Sequence, residues 1–436
     1  MAVTMKTYEN GQAEPELVVE DEAERSWMKR LGPGLITGAA DDDPSGIATY
    51  TQAGAQFGFG LLWTMLLTYP LMVAIQSVSA RLGRVTGRGL ATNLRRHYPA
   101  PILYAAVMVL LVANTINIAA DLAAMGAAAK LVLGGPVQLY VVLLGTASLL
   151  LQVFVTYERY ARFLKWLTLA LFAYVAMAFV IPVDWKAVGL SIVKPPVSFS
   201  GDYLTTVVAV LGTTISPYLF FWQASQEVEE IRSHPAQQPL LRAPLQASIQ
   251  LKRIDIDTWV GMALSNAVAF FIMLSAAATL HAHHVEVKTT ADAASALKPI
   301  AGEMAFALFS LGIVGTGLLA LPVLAGSAAY AAAGAMKWRN SLALQVNLAK
   351  QFYAVVAVAI LGGVALTFAH LDPIKALYWS AVVNGIAAVP IMALVMLMAG
   401  SRDVMGKFAL KGALLWIGWL ATGVMGLAAI GMFWPT

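Results

Sequence analysis

The sequence predicts an all-α integral membrane protein with eleven transmembrane helices, and three observations carry that prediction. Of its 436 residues, 59% are hydrophobic and 12% are charged, against roughly 45–50% and 25% in a soluble domain. The apolar residues gather into eleven runs of about 20 residues or more, each long enough to cross ~30 Å of hydrocarbon at 1.5 Å per residue. Lysine and arginine fall almost entirely on one alternating set of the connections between those runs.

The segment before the first run, residues 1–30, carries Glu9, Glu14, Glu16, Glu20, Asp21, Glu22 and Glu24 in its first 24 positions. It has no apolar core of 7–15 residues, so it is expected to be an unstructured cytoplasmic tail and not a cleavable signal peptide. The runs follow near 33–57, 61–80, 101–126, 136–156, 163–182, 203–223, 257–280, 302–335, 352–370, 374–399 and 410–433. Together they make residues 31–433 one transmembrane domain. The eighth run is long enough to read as two short segments. With the N-terminus inside, 22 of the 28 lysines and arginines lie on the cytoplasmic side, and only Lys130, Lys186, Lys194, Lys288, Lys298 and Lys375 lie on the other. Basic residues concentrate in short cytoplasmic loops; eleven spans then put the C-terminus outside, as in a multi-pass protein of a bacterial inner membrane. The net charge of +4 follows largely from this bias and calls for no nucleic-acid partner. The absence of cysteine excludes disulfides and thiolate metal sites.

An ionisable group inside a span is costly and is by default a functional hypothesis. Only Asp41, Asp42, Asp43 and Asp121 stand well inside apolar runs, with Glu303 near the start of span 8. No Arg or Lys lies in the middle of any span to neutralise them. Internal pairing or protonation is the alternative, and Asp121 alone has Asn114 and Asn117 as candidate partners. Three acids without a protein counter-ion point to a cationic substrate.

Proline explains how such carboxylates are presented. Pro44 has no N–H to give the carbonyl of Ala40, and it forces Asp43 out of helical geometry. In "VLGTTISPYLFFW" of span 6, Pro217 does the same to the carbonyl of Thr213 and to Ser216. Unwound backbone at membrane depth is tolerated where it lines a cavity. Two broken spans, five apart, are the mark of an inverted-repeat transporter with its site between them. Repeat one is expected at about 31–182, repeat two at about 203–399, and an extra helix at 410–433. Pro322 and Pro390 are expected only to kink their helices.

The stretches "GPGLITGAADDDPSGIATYTQAGAQFGFGLLW" and "QSVSARLGRVTGRGLA", with "AADLAAMG" in span 3, resemble the opening of the NRAMP family of proton-coupled divalent-metal transporters. That family carries DPGN, QSLSARLG-type and ADLAE-type motifs. The likeness is strong over the first 130 residues and looser beyond. It implies a LeuT-type fold of eleven spans in a 5+5 repeat with helices 1 and 6 broken. It also implies that the metal-binding aspartate is Asp43 and that the two coordinating carbonyls are those of Ala40 and Thr213. Against the family pattern, Gly46 replaces the asparagine of DPGN, Ser216 the methionine of span 6, Tyr218 the histidine two residues on, and Ala124 the glutamate of span 3. A thioether favours soft transition metals, whereas oxygen ligands suit Mg²⁺, Ca²⁺ or Mn²⁺. The site therefore reads as harder than the family's usual one, with the proton relay reduced to Asp121, or relocated to Asp41 or Asp42.

The weaker signals are His281, His283 and His284 in an external loop, Asn384 near the family's glutamine of span 10, and Glu227, Glu229 and Glu230 at the cytoplasmic end of span 6. The histidines and glutamates are expected to be solvated. No nucleotide-binding loop, nucleophile triad or HExxH motif is present, so no enzyme is indicated. The expected function is a secondary transporter or facilitator for a hard divalent cation of the Mg²⁺ or Mn²⁺ class, weakly or not coupled to protons, with the metal as substrate and no cofactor. The expected ligands are Asp43, Ala40, Thr213, Ser216, Asp42, Asp41 and Gly46, backed by Asp121, Tyr218, Asn384 and Asn117. The alternatives are a proton-coupled Mn²⁺/Fe²⁺ transporter with a relocated path, a same-fold transporter for an organic cation or amino acid, and a non-transporting receptor.

Overall fold

The structure is a computed structural model that describes residues 2–7, 13–18, 33–155, 170–369 and 372–433. Within the tail expected to lack structure, β1 (Ala2–Thr7) and β2 (Ala13–Val18) pair antiparallel, Ala2 opposite Val18 and Thr7 opposite Ala13. Every other regular element among the described residues is helical.

The first span is broken into α1 (Pro33–Asp41) and α2 (Pro44–Phe57). A 3₁₀ turn, Gly58–Leu61, leads into α3 (Leu62–Thr86). A short amphipathic helix, α4 (Leu90–His97), precedes α5 (Ala100–Leu133) and α6 (Val137–Phe154). The expected fifth span falls partly on residues 156–169, outside the described residues; beyond them α7 (Phe172–Val180) and α8 (Trp185–Val193) meet at 118°. The second broken span is α9 (Gly201–Thr214) with α10 (Pro217–Ser233). Then come α11 (Ala247–Thr279), α12 (Ala305–Met336), α13 (Lys350–Thr367), α14 (Pro373–Gly400) and α15 (Ala413–Gly431).

Among the described residues, nine helical stretches are long and apolar enough to cross a membrane, or up to ten if α7 and α8 form one bent span. The chain is a multi-pass integral membrane protein. The count is two below the eleven expected because Pro44–Thr86 runs on through its 3₁₀ turn as one stretch of 43 residues and because the fifth run is represented only by the bent pair α7 and α8. The eighth run is one continuous helix, α12, with Pro322 inside it, and Pro390 likewise lies inside α14. Neither proline splits its span.

The broken span 6 is the most enclosed. Of its most apolar window 89% is buried, against 22% in α6 and in α15, so α6 and α15 form the periphery and α9–α10 the interior. The long α5 packs against α6, α12, α13 and α14, while α11 carries α1, α2 and α3 on its flank. These contacts are close because glycine sits at the crossings. A Cβ on Gly38 of α1 would stand 2.3 Å from the Gly261 carbonyl of α11, and one on Gly212 of α9 would stand 2.1 Å from the Ala381 carbonyl of α14. Both distances are far inside van der Waals contact, so any side chain there would push the half-helices off their supports.

Candidate functional site

Pro44 is the first residue of α2, where its missing N–H costs nothing, and Asp43 is the N-cap with extended backbone (φ −74°, ψ 170°). The proline thus does what the sequence predicts, and the cap fixes the carboxylate. Oδ1 of Asp43 accepts from the Gly46 amide at 2.8 Å and from the Ser45 hydroxyl at 2.6 Å. The positive end of the α2 dipole further favours an anion here. Oδ2 faces the other way, accepting from Asn117 Nδ2 of α5 at 3.1 Å and from the Tyr218 hydroxyl of α10 at 3.2 Å. Asn384 Nδ2 of α14 donates to Asn117 Oδ1 at 3.3 Å. Asp43, Asn117, Tyr218 and Asn384 are therefore one connected network drawn from both breaks and two further helices, and all four are buried.

The second break is built differently. Ser216 is extended (φ −79°, ψ 135°) and precedes Pro217 at the first turn of α10, but its side chain does not cap that helix. Its hydroxyl lies back on α9, 2.7 Å from the Gly212 carbonyl and 3.0 Å from the Thr213 carbonyl. The carbonyl that Pro217 denies a partner is thus met by a side chain, with a second lone pair still open. The two breaks lie against each other: a Cβ on Gly46 would be 3.2 Å from Thr213 Oγ1 and 3.6 Å from the Asp41 carbonyl oxygen. An asparagine at this position would crowd Thr213, so glycine at 46 and threonine at 213 fit as a pair. Ala40, near the end of α1, is buried.

The three consecutive aspartates do not converge. Asp41 Oδ2 and Asp42 Oδ1 lie 2.7 Å and 3.1 Å from one hydroxyl, that of Ser265 on α11, whereas Asp43 faces α5 and α10. Successive residues around a helix end point about 100° apart, and the break adds to that divergence. Among the described residues no group of three or more His, Asp or Glu side chains is placed to share an ion. Asp121 is fully buried beside Asp43 and the Ser45 amide, yet neither of its oxygens has a hydrogen bond of ordinary geometry among the described residues. The asparagines offered as its candidate partners in the alternative reading are engaged elsewhere: Asn117 with Asp43, and Asn114 with the Leu324 carbonyl and Ser327 Oγ, both at 2.8 Å.

Away from the breaks two expectations need correction or relocation. Glu227 is not solvated: it is fully buried and takes Arg253 Nη2 of α11 at 2.5 Å. Glu229 is also largely enclosed, accepting from Ser341 at 2.6 Å, Arg232 at 3.0 Å and Tyr330 at 3.2 Å. The reason is tertiary, since α11 and α12 carry their polar ends over the end of α10. Glu230 lies 3.4 Å from His234, near the surface. The three histidines are exposed, as expected, His281 and His283 in a short 3₁₀ turn after α11 and His284 just beyond it; His281 Nδ1 is 2.9 Å from the Ala55 carbonyl and His283 Nδ1 is 2.6 Å from that of Thr279. The side chain of Glu303 lies outside the described residues.

Three partners carry no clear mark in the sequence. Ser265 is one; Asp257, which accepts from the Gly34 amide at the start of α1 at 2.6 Å, is another. Gln223 of α10, which accepts from Thr37 of α1, is the third. The only signal for them is a polar pair, Ser265-Asn266, in the middle of an apolar run.

Residues 34–435 match the family model described as natural resistance-associated macrophage protein-like. The divalent metal cation transporter MntH of Verminephrobacter eiseniae is 30% identical over 392 residues, covering 86% of this chain and 82% of that protein. MntH of Burkholderia ambifaria is 28% identical over 406 residues, covering 91% and 86%. In fold, the crystal structure of the Eremococcus coleocola manganese transporter in complex with an aromatic bis-isothiourea substituted compound superposes with a TM-score of 0.72 at 16% identity, over 93% of this chain and 87% of that one. With the family model spanning nearly every residue from the first half-helix to the last span, this chain belongs to the Nramp family.

Proposed function

We propose that the protein is a secondary transporter or facilitator, and not an enzyme, that moves a hard divalent cation of the Mg²⁺ or Mn²⁺ class by alternating access. Its relatives named MntH are divalent metal cation transporters, and the Eremococcus protein is a manganese transporter. The observation that carries the reading is Asp43, a buried carboxylate at a helix break whose hydrogen-bond partners are all neutral. A cation arriving there meets a negative charge that no Arg or Lys has cancelled. In this reading Asp43 is the principal ligand. The carbonyls of Ala40 and Thr213 and the hydroxyl of Ser216 complete an all-oxygen site suited to hard ions, and Gly46 leaves room beside Thr213. Asn117, Tyr218 and Asn384 orient the carboxylate. Asp41 and Asp42, set apart on Ser265, line the approach and hold the ion's outer water shell.

The same reading gives eleven spans, two inverted five-span repeats and a final helix, with the N-terminus cytoplasmic and the C-terminus outside. Coupling to protons is weak or absent, because Tyr218 and Ala124 stand where the family resemblance implies a histidine and a glutamate. The state of Asp121, buried without a hydrogen bond of ordinary geometry, favours one second reading, a proton-coupled Mn²⁺ transporter that moves its proton through that residue. Flux of Mg²⁺, Mn²⁺, Ca²⁺, Fe²⁺ and Cd²⁺ into proteoliposomes, with and without a pH gradient, separates the two. Divalent uptake independent of the gradient supports the first, gradient-driven uptake of Mn²⁺ the second, and no divalent uptake at all defeats both.

A further inference from the structure

The link from α12 to α13 lines an open surface pocket of about 390 Å³, bounded by Lys337, Trp338, Arg339, Asn347, Leu348 and Gln351. We propose that this pocket seats the headgroup of an anionic phospholipid.

Two cations and two amides line it, and no acid does. Neither Lys337 nor Arg339 has an ion pair among the described residues. The nearby acid, Glu229, is already bonded to Arg232, Ser341 and Tyr330, and Arg232 also reaches the Asn340 carbonyl at 2.7 Å. The local charge is therefore positive and uncompensated, which suits a phosphodiester. The apolar part of the rim decides for a lipid over a soluble anion. Trp338 is 37% exposed and Leu348 51%, and Met336, the last residue of α12 just before the pocket, 48%, at the adjoining ends of the two apolar, side-by-side spans α12 and α13. Tryptophan is enriched at membrane–water interfaces, and basic pockets between transmembrane helices on the Lys/Arg-rich face bind anionic headgroups. A soluble phosphate compound would leave these apolar side chains in water. The inference stands apart from the cation site and does not depend on what is transported.

The test uses the full-length protein in a neutral detergent, with thermal unfolding measured on adding phosphatidylglycerol, phosphatidylcholine, glycerol phosphate or ATP. The substitutions are Lys337→Gly with Arg339→Gln. Lys337 has φ +63°, a conformation that suits glycine, so the charge is removed without strain. Phosphatidylglycerol should raise the midpoint of the wild type, and the paired variant should lose at least half of that rise, with phosphatidylcholine and the soluble phosphates giving none. An equal rise in the variant, or a rise with ATP or glycerol phosphate alone, overturns the proposal. Photo-crosslinking of the wild type with a diazirine phosphatidylglycerol gives a readout that needs no variant. Label should concentrate in residues 336–351, and label spread evenly over the other helix ends would refute the site.

Discussion

The hydroxyl of Tyr218 donates to Oδ2 of Asp43 at 3.2 Å, so the first turn of α10 is tied to the cap of α2 across the two breaks. The family resemblance implies histidine at this position, and the replacement changes what the bond can do. A phenol ordinarily loses its proton only near pH ~10 and stays neutral through the working pH range, whereas imidazole titrates at about 6.5. Tyr218→His should therefore make cation uptake fall as pH drops through about 6.5, because the protonated ring would bond to Asp43 and repel an incoming cation. Tyr218→Phe should keep a flat profile. Uptake by proteoliposomes over a series of pH values checks both, and a flat profile in the histidine variant would show that position 218 does not face the ion.

Asp43 both caps α2 and, in the proposed mechanism, binds the ion. The two roles separate by substitution. Asp43→Asn keeps an oxygen for the Gly46 amide, so stability should change little, while Asp43→Ala should lose about 1 kcal/mol with the cap. Both should lose uptake to below a tenth of wild type, since neither supplies a negative charge. Thermal midpoints in detergent and uptake in proteoliposomes are the paired measurements. Substantial uptake by the alanine variant would remove Asp43 as the ligand.

Ser216 offers a third test. Its hydroxyl is held by the Gly212 and Thr213 carbonyls at 2.7 and 3.0 Å. Ser216→Met removes that bond from the Thr213 carbonyl and brings a thioether to the break. Preference should shift toward Cd²⁺, Fe²⁺ and Mn²⁺ over Mg²⁺ by several fold, read by competition for uptake. An unchanged order of ions means that residue 216 points away from the path.

The parts of this site that are legible in the sequence are those set by local chemistry. Proline cannot donate, so the breaks at Pro44 and Pro217 and the extended backbone of Asp43 and Ser216 can be placed residue by residue. The meeting of Asp43, Asn117 and Asn384 is legible only as a set of polar residues in apolar runs, since the hydrogen bonds among them span 74 and 267 positions. What Asp41 and Asp42 face is not legible, because a single serine inside α11 leaves no periodic trace. Glu227 misleads for the opposite reason. It lies next to a span end, where charges usually meet water, and only the Arg253 side chain, reaching over from the start of α11, meets it there. Apolar patterning does place the boundary between the first two runs, 33–57 and 61–80, at the turn Gly58–Leu61, although the helical stretch Pro44–Thr86 continues through it.

The ion pair of Glu227 with Arg253 yields a stability prediction. Glu227 is fully buried and Arg253 is 17% exposed at the side chain, so removing Arg253 takes away the only cation bonded directly to Glu227 among the described residues and leaves Arg84 as the remaining positive charge nearby. Arg253→Ala should destabilise by about 3–5 kcal/mol, and the pair Arg253→Met with Glu227→Leu should recover most of the loss. Unfolding midpoints of the three proteins in one detergent decide the matter. If Arg253→Ala unfolds like the wild type, the pair does not hold α10 to α11.

Proton coupling is the last expectation. A relay needs titratable groups in sequence from one side to the other, and the centre of this site offers few. Tyr218 and Ala124 supply none that titrate near neutral pH. Asp121 is close to Asp43, but its neighbours Asn114 and Asn117 are amides bound to other groups and cannot carry a proton onward. Asp41 and Asp42 share the Ser265 hydroxyl, whose single proton can be donated to only one of them at a time. A proton could pass between these two through that hydroxyl, yet they sit on the α11 side, away from the Asp43 network. Cation influx should accordingly leave the internal pH of proteoliposomes almost unchanged. Asp41→Asn and Asp42→Asn should weaken cation capture, read as a higher KM, without changing the number of protons moved. Strong acidification during influx that disappears in either asparagine variant would instead establish a proton path through Asp41, Ser265 and Asp42; if it disappears only in Asp121→Asn, the path runs through α5.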